Sequence, residues 1–352
     1  MFDDMGKTLI SVIVPVYNGE GCIANCIDAL LANDYSQDRF EVVVVDNNSS
    51  DRSAQIIRRF LKPDYPVKYL KETRRGASFA RNTGASLAKG DILAFIDSDA
   101  YANTDWLESI EQTFMNPSID GVMGVTLGIN RNLWAAFFHR QYEEFFLAQR
   151  KREQDRLTRI DTKNFAIKKS VFLKVGGLNP TIRNSEDIEL GLRLYSNGYK
   201  LILNEKMVVR HLNPTDLETD IRTKREQTFF DYRIALSYSK LRNYRRAQCT
   251  NDPFDPRYGC LSELLSYRDK KFLVWRVTFL KYALPPLIRS FELLLNLFYT
   301  LGFKNKLYKW YIKTIGLAGW HGLILSLGSD MGLFPADSVN DSSLFKRAKS
   351  NN

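Results

Sequence analysis

The sequence has few cysteines and carries no recognisable export signal. Only four of its 352 residues are cysteine, and their spacing is not that of a metal site. A disulfide framework is therefore not expected, and the low cysteine content favours a reducing compartment. The first residues carry acids where a secretory signal peptide carries bases, so we expect no targeting segment.

The sequence also lacks a clear membrane-spanning stretch, which needs about 20 mainly apolar residues. Leu293–Phe303 has only eleven uncharged residues, and residues 314–329 are rich in glycine and include His321. These features disfavour a transmembrane helix. They leave other forms of membrane contact open.

Basic residues outnumber acidic ones, and the formal net charge is +10. Such a charge favours an anionic partner, which can be nucleic acid, acidic lipid or a phosphate-bearing ligand. Residues 270–314 contain nine Lys or Arg and a single acid, Glu292, interleaved with aromatic residues. No nucleic-acid recognition motif accompanies them, so we do not expect nucleic acid as the partner.

Within this basic region, apolar residues recur at helical spacing. The pattern favours an amphipathic helix in the membrane surface, and a helical cap packed on the rest of the protein is the alternative. Whether residues 272–328 dock, lie on the membrane or enter it stays open. The apolar positions are Leu287, Phe291, Leu294, Leu295 and Phe298.

The first hundred residues alternate between apolar strand-like runs and helical patterns. The runs at 9–17, 40–46 and 91–97 are mainly apolar, as in strands covered on both faces, and VKYLKE at 67–72 has the pattern of a short strand. This alternation predicts an α/β fold with a doubly wound mixed sheet. In such sheets ligands bind beyond the carboxyl ends of the strands.

Further elements and boundaries follow from the remaining sequence. We expect a strand in GVMGVTLG, a long helix at 134–155 and two short strands in LILNEKMVVRH. We also predict a catalytic domain over residues 1–215 and a helical, amphipathic C-terminal region over 216–335. Residues 336–352 are polar enough for a disordered tail.

One short motif resembles a dinucleotide-binding fingerprint but has the wrong context. The segment GEGCIA at 19–24 matches G-x-G-x-x-A, and Asp46 lies downstream at a strand end. The first glycine should follow its strand at once and open the helix. Here four residues intervene and the helix begins after the last glycine, so a nicotinamide or flavin enzyme is disfavoured.

The segment AFIDSDAYAN places Asp97 and Asp99 at the end of an apolar run. Carboxylate oxygens suit Mg²⁺ or Mn²⁺, which often bind through one or two carboxylates and substrate phosphates. A hydrated turn with Asp99 as a helix cap explains the same residues without a ligand.

Four other features have a functional and a structural interpretation each. Glu186 and Asp187 can be acids that favour the first turn of a helix. A lone histidine such as His211 is usually structural. Asp46 begins what can be a simple strand-to-helix turn, and Arg81 can lie on a solvated helix face.

Taken together, the order and spacing of these segments resemble glycosyltransferase family 2, which has the GT-A fold. VIVPVYN resembles its first strand, and VVVVDNNSSD its nucleoside-contacting turn. RRGASFARNTGASLAKGDILAFIDSDA resembles its central motif with the metal-binding D-x-D. NFAIKKSVFLKVGGLN and NSEDIELGLRLYSNGYKL resemble its acceptor-side segment. The resemblance covers roughly residues 9–213.

The resemblance implies an inverting, metal-dependent transfer of a sugar from a nucleotide-diphosphate donor to an acceptor hydroxyl. Mg²⁺ or Mn²⁺ would be held by Asp97, Asp99 and His211. Asp187 would be the general base, and Glu186 would orient Asp187 or the acceptor. The donor would contact Pro15, Tyr17, Asp46, Asn47, Arg81, Asp97 and Ser98.

The expected setting is cell-envelope, exopolysaccharide or lipid-linked glycan synthesis. The partners would then be a nucleotide-sugar donor, a glycan or lipid-linked acceptor, and the cytoplasmic face of a membrane, bound peripherally. Asn47 departs from the aspartate common in members that use uridine donors, so uridine, thymidine and guanosine donors all stay open. Two other functions stay open: a non-catalytic scaffold, and a metal-dependent nucleotidyltransferase that would not need Asp187.

Overall fold

The structure is a computed structural model, and it describes residues 8–130, 132–150, 157–213 and 215–238. The predicted tail beyond residue 238 lies outside these ranges.

The chain divides into two compact units. The first contains residues 8–130 and 138–213 among those described. The described parts of the second are residues 132–137 and 215–238. The predicted domain boundary at 215 stays a prediction.

The described residues contain eight strands, eight α-helices and a short 3₁₀ helix at Gln37–Arg39. The strands are β1 (Ile10–Val16), β2 (Phe40–Asp46), β3 (Val67–Lys71), β4 (Ile92–Ile96), β5 (Ala100–Ala102), β6 (Gly121–Gly128), β7 (Asn164–Lys168) and β8 (Leu201–His211). The helices are α1 (Ile23–Leu31), α2 (Ser53–Arg58), α3 (Ala77–Leu87), α4 (Trp106–Phe114), α5 (Leu133–Arg150), α6 (Lys169–Lys174), α7 (Glu186–Ser196) and α8 (Leu217–Tyr238).

All eight strands form one mixed sheet in the order β3-β2-β1-β4-β7-β6-β8-β5. β1 pairs in parallel with both β2 and β4, and β2 pairs in parallel with β3. β7 runs antiparallel between β4 and β6. β6 and β8 are parallel, so β8 runs in the same direction as β4. The prediction of a mixed α/β sheet is confirmed.

The central strands are buried on both faces because successive side chains point to opposite sides. In β1, Val12 and Val14 pack with α1 and α4 on one face, whereas Ile13 packs with α3 and α7 on the other. Each face thus contributes to a separate apolar layer, which explains the unbroken apolar runs in these strands.

Helix α3 lies unusually close to the sheet. A Cβ atom on Gly84 would lie 2.6 Å from Cγ2 of Ile13 and 3.0 Å from Cγ2 of Val45, so a larger residue would push the helix away. The small residues of α3 therefore fix the distance at which Arg81, one turn earlier, stands from the strand ends.

A buried amide joins the middle of the sheet to α4. Asn164, at the start of β7, accepts a hydrogen bond from Nε1 of Trp106 at 2.9 Å. Its Nδ2 donates to the carbonyls of Val125 and Met207, at 3.0 and 2.9 Å. These bonds serve backbone groups next to the irregular register of β6 and β8 between Met123 and Val125.

One predicted element was wrong, and the long helix agrees with its prediction over the residues described. LILNEKMVVRH forms the single strand β8, because its pairing with β6 continues past the irregularity instead of ending there. Helix α5 ends its described part at Arg150, and residues 151–155 of the prediction lie outside the described residues.

Candidate active site

Two carboxylates and an imidazole meet where β4 ends. Asp97 and Asp99 follow β4 directly, and the pairing of β5 with β8 sets Ala100 opposite His211. One potential ligand atom from each of Asp97, Asp99 and His211 lies within 4.8 Å of the others. An oxygen-rich group with one imidazole suits Mg²⁺ or Mn²⁺, so these residues fit such an ion.

His211 is held in one orientation by its neighbours. Its Nδ1 lies 3.1 Å from Oδ1 of Asn213, and its Nε2 lies 3.3 Å from Oδ1 of Asp99. Because an amide oxygen only accepts, Nδ1 carries a proton and Nε2 is the atom that faces Asp99. Burial lowers the pKa of His211, but the hydrogen bond and charge of Asp99 outweigh it and raise the pKa overall.

Arg81 joins this group to the start of α7. Its Nη2 donates to Oδ1 of Asp97 at 2.6 Å, and its Nη1 donates to Oε1 of Glu186 at 2.9 Å. The side chain is only 5% exposed. Burial lowers the pKa of Arg81, but the charges of Asp97 and Glu186 outweigh this effect and raise the pKa overall. The guanidinium therefore stays charged.

The acidic pair that opens α7 is partly buried. Ser185, just before the helix, has a φ of 69°, and this left-handed turn brings Glu186 and Asp187 toward Arg81. Burial raises the pKa of Glu186 even though Arg81 opposes the shift. Burial, and then the charge of Glu186, raise the pKa of Asp187 from 3.8 to about 7.

A third charged cluster, which the sequence reasoning missed, lies before β7. Nζ of Lys163 is 3.0 Å from Oδ2 of Asp161 and 5.0 Å from the centre of the Tyr142 ring. The Tyr142 hydroxyl donates to the same carboxylate oxygen at 3.0 Å. Burial lowers the pKa of Lys163, but Asp161 raises it well above its usual value.

The turn after β2 is tied to the loop before α3 by Asn47. Its Nδ2 donates to the carbonyl of Arg74 at 2.6 Å, and its Oδ1 accepts from the Gly76 amide at 2.8 Å. Asp46, only 2% exposed, accepts from the Ser49 amide and the Tyr69 hydroxyl. Both side chains therefore shape the turn with bonds inside the protein.

The other predicted contacts differ in their accessibility. Tyr17 is 50% exposed, and the Arg75 guanidinium lies 5.6 Å from the centre of its ring. Pro15 is buried within β1, and Ser98 is partly buried between the two aspartates.

The structure thus brings together Asp97, Asp99, His211, Glu186 and Asp187, with Arg81 between the two groups. Asp46 ends β2 and Asn47 follows it, and their hydrogen bonds are to the turn after β2 and to the loop before α3. The roles assigned to all these residues stay predictions. Like Asp97, Lys163 is a charged residue next to an apolar strand in the sequence. Only the antiparallel direction of β7 shows that Lys163 and Asp97 lie at the same end of these two neighbouring strands.

Comparison with known proteins identifies the family. The sequence profile described as Glycosyl transferase family 2 matches residues 11–176. Glycosyltransferase AglE of Haloferax volcanii is 30% identical over 203 residues, 57% of this chain and 66% of that protein. Glycosyltransferase GlyA of Streptococcus pneumoniae is 32% identical over 130 residues, 37% of this chain and 18% of that protein. The chain therefore spans less than two thirds of either relative.

Solved structures agree on the fold. The mannosyltransferase PcManGT from Pyrobaculum calidifontis, in complex with GDP-Man and Mn²⁺, superposes with a TM-score of 0.60 at 20% identity, covering 92% of this chain and 88% of that one. TarS 1–349 of S. aureus, in complex with UDP-GlcNAc, gives a TM-score of 0.50 at 15% identity, covering 93% of each chain.

The fold of this protein is the GT-A fold. Residues 11–176 of the chain belong to glycosyltransferase family 2. None of the helices in its described residues is both long and apolar enough to span a bilayer.

The raised pKa of Asp187 makes a prediction about stability. The folded chain disfavours ionised Asp187, so its ionisation costs nothing below pH 4 and opposes folding fully above pH 7. We expect Asp187→Asn to stabilise the chain by roughly 1–3 kcal/mol at pH 8, with the gain shrinking toward pH 4. Urea unfolding across this pH range measures the difference.

The exposed Asp91, at the opposite end of β4, supplies the control. Asp91→Asn should change stability little at any of these pH values. A gain from Asp187→Asn that does not depend on pH would contradict the assignment.

Proposed function

We propose that this protein is an inverting glycosyltransferase that moves a hexosyl or related sugar from a nucleotide-diphosphate donor to an acceptor hydroxyl. The observation that carries the proposal is the Arg81 bridge, which holds the candidate metal ligand Asp97 beside the Glu186–Asp187 pair. On this proposal, the group that binds the charged leaving group and the group that removes the proton would be neighbours.

The residues at the end of β4 would bind the donor phosphates together with Mg²⁺ or Mn²⁺. Asp97, Asp99 and His211 are the proposed ligands. When bound, such an ion offsets the charge that develops on a leaving diphosphate. The solved structure of PcManGT, which has the same fold, is a complex with GDP-Man and Mn²⁺, and this supports a donor and an ion of this kind here.

Asp187 is the proposed general base. A carboxylate with a pKa of about 7 is ionised in a useful fraction near neutral pH and is basic enough to take the proton of an attacking hydroxyl. Glu186 is pinned by Arg81, so it would position Asp187 and the acceptor. A single displacement from the face opposite the leaving group inverts the anomeric centre.

Groups other than Asn47 would recognise the donor base. The Asn47 amide is hydrogen-bonded to the backbone of Arg74 and of Gly76, so the asparagine that stands here in place of a carboxylate shapes the loop. The exposed ring of Tyr17, with Arg75 beside it, is the proposed stacking surface for the base. Structural relatives include complexes with GDP-Man and with UDP-GlcNAc, and we keep both donor types.

The basic C-terminal region supplies a proposal about location. Residues 270–314 would hold the enzyme peripherally on the cytoplasmic face of a membrane, where each basic side chain near anionic lipid is worth about 1 kcal/mol. The acceptor would then be a lipid-linked sugar or a growing cell-envelope polysaccharide.

A first test concerns the donor site. We expect UDP or GDP to raise the melting temperature in the presence of Mn²⁺, because a ligand at 100 times its dissociation constant adds about 2.7 kcal/mol. Thermal shift with UDP, GDP, TDP and CDP, with and without Mn²⁺, makes the measurement. Asp99→Ala should abolish the metal-dependent shift.

The matched control is Asp105→Ala, which removes an exposed carboxylate just beyond β5. It should leave the shift unchanged. The donor site would be disproved if no nucleotide gave a metal-dependent shift in the wild-type chain.

A second test concerns the membrane. The substitution of Lys304, Lys306, Lys309 and Lys313 by Gln removes four charges and should greatly weaken flotation with phosphatidylglycerol vesicles. Binding to neutral phosphatidylcholine vesicles should be weak for both proteins. Equal recovery of both proteins with the anionic vesicles would contradict this proposal.

A further inference from the structure

Lys163 lies beside the end of β4 that carries Asp97, although the two residues are far apart in sequence. β4 and β7 are antiparallel, and their last recorded pair is Ile96 with Asn164. Asp97 directly follows β4 and Lys163 directly precedes β7, so both residues lie at the same end of this strand pair.

The contacts of Lys163 identify the face on which it lies. Phe165 and Ile167 of β7 pack in the apolar layer that includes residues of α3 and α7, and the Tyr142 ring packs against the same layer. The Lys163 ammonium lies 5.0 Å from the centre of that ring. It therefore stands on the side that carries Arg81 and Asp187.

Lys163 is fixed in place, but its donors are not all used. Asp161 and Tyr142 are its direct partners among the residues that the structure describes. An ammonium group has three N–H donors. The side chain of Lys163 is 19% exposed and that of Asp161 is 10% exposed, so the pair is not fully closed off from solvent.

The electrostatic reach of Lys163 covers both halves of the site. Asp97 contributes to the high pKa of Lys163, after Asp161 and Tyr142. Burial and Glu186 raise the pKa of Asp187, and Lys163 acts against them. The ammonium is thus close enough to interact electrostatically with Asp97, a candidate metal ligand, and with Asp187 of α7.

We propose that Lys163 contacts the substrate by donating a hydrogen bond to the phosphate that leaves with the nucleotide. The inference rests on the proposed function. When the bond between the sugar and the phosphate oxygen breaks, its electron pair stays on that oxygen. The fixed ammonium offsets the added negative charge, and no proton has to move. Charged groups of this kind form the stronger hydrogen bonds to phosphate.

Nucleotide binding tests the contact directly, because a nucleoside diphosphate carries the leaving phosphate in its charged form. Calorimetric titration of UDP and of GDP in the presence of Mn²⁺ gives the affinity. We expect Lys163→Met to weaken binding by roughly 10- to 100-fold, as the loss of a charge-assisted hydrogen bond does. Lys163→Arg should retain most of the affinity.

Lys168→Met is the matched control. Lys168 lies at the other end of β7, where it pairs with Asp120 at 3.4 Å, so its loss should not affect nucleotide binding. Titration with Mn²⁺ alone separates nucleotide contact from metal affinity. Removal of a nearby positive charge should leave Mn²⁺ affinity equal or higher, and a loss of Mn²⁺ affinity that accounts for the whole effect would overturn the inference.

A double variant separates the loss of the substrate contact from a loss of folding stability. Lys163→Met leaves Asp161 buried without its counter-charge, whereas Lys163→Met combined with Asp161→Asn removes both charges and keeps a partner for Tyr142. The double variant should show the same loss of nucleotide affinity. Wild-type affinity in either variant overturns the inference alone, whereas a wild-type chain that binds neither nucleotide with Mn²⁺ overturns the proposed function as well.

Discussion

The double ion pair of Arg81 is the interaction on which the arrangement of the site depends. Asp97 and Glu186 come from distant parts of the chain and carry like charges, so they would repel each other without a cation between them. A buried guanidinium is itself costly unless its donors are satisfied. Each partner therefore requires the others, and the three together fix the end of β4 against the start of α7.

The packing of α3 on the sheet supports this arrangement. Gly84 lets α3 approach β1 and β2, which sets the depth at which Arg81 is held. Nε of Arg81 is buried and has no hydrogen-bond partner among the described residues, so the two ion pairs must compensate for it. The loss of either partner would leave a buried charge uncompensated, which commonly costs about 3–5 kcal/mol.

The site contains more negative than positive charge even with His211 protonated. Five carboxylates face three basic groups, which leaves a net charge of about −2 if all the carboxylates are ionised. A divalent cation would balance this excess, and the raised pKa of Asp187 reduces it in the absence of one. The groups are Asp97, Asp99, Asp161, Glu186, Asp187, Arg81, Lys163 and His211.

Much of the fold could be predicted from local patterns. The apolar runs of β1, β2 and β4 are visible because strands covered on both faces need no polar positions, and Asp97 stands out because it ends such a run. Even the Glu186–Asp187 pair could be singled out, although a helix start explains it equally well. These patterns are formed by residues that are close together in sequence, so they can be recognised without the structure.

Features that depend on strand direction, or on contacts with distant parts of the chain, could not be predicted. Lys163 precedes β7, and only an antiparallel β7 brings that end of the strand beside Asp97. The use of Asn47 also depends on a distant loop, since its partners Arg74 and Gly76 follow almost thirty residues later. The continuity of β8 was missed because it comes from pairing with β6, which the alternation of residues does not encode.

The central claim is that one site combines donor binding at the end of β4 with proton removal at α7. Turnover by Asp187→Asn tests it most directly, measured as release of nucleoside diphosphate from GDP-mannose and UDP-GlcNAc with Mn²⁺. We predict a loss of about 10²- to 10⁴-fold, with Mn²⁺-dependent nucleotide affinity kept within a few-fold of wild type. Turnover close to that of the wild type would contradict the claim and would favour a nucleotidyltransferase, which has no need of this base.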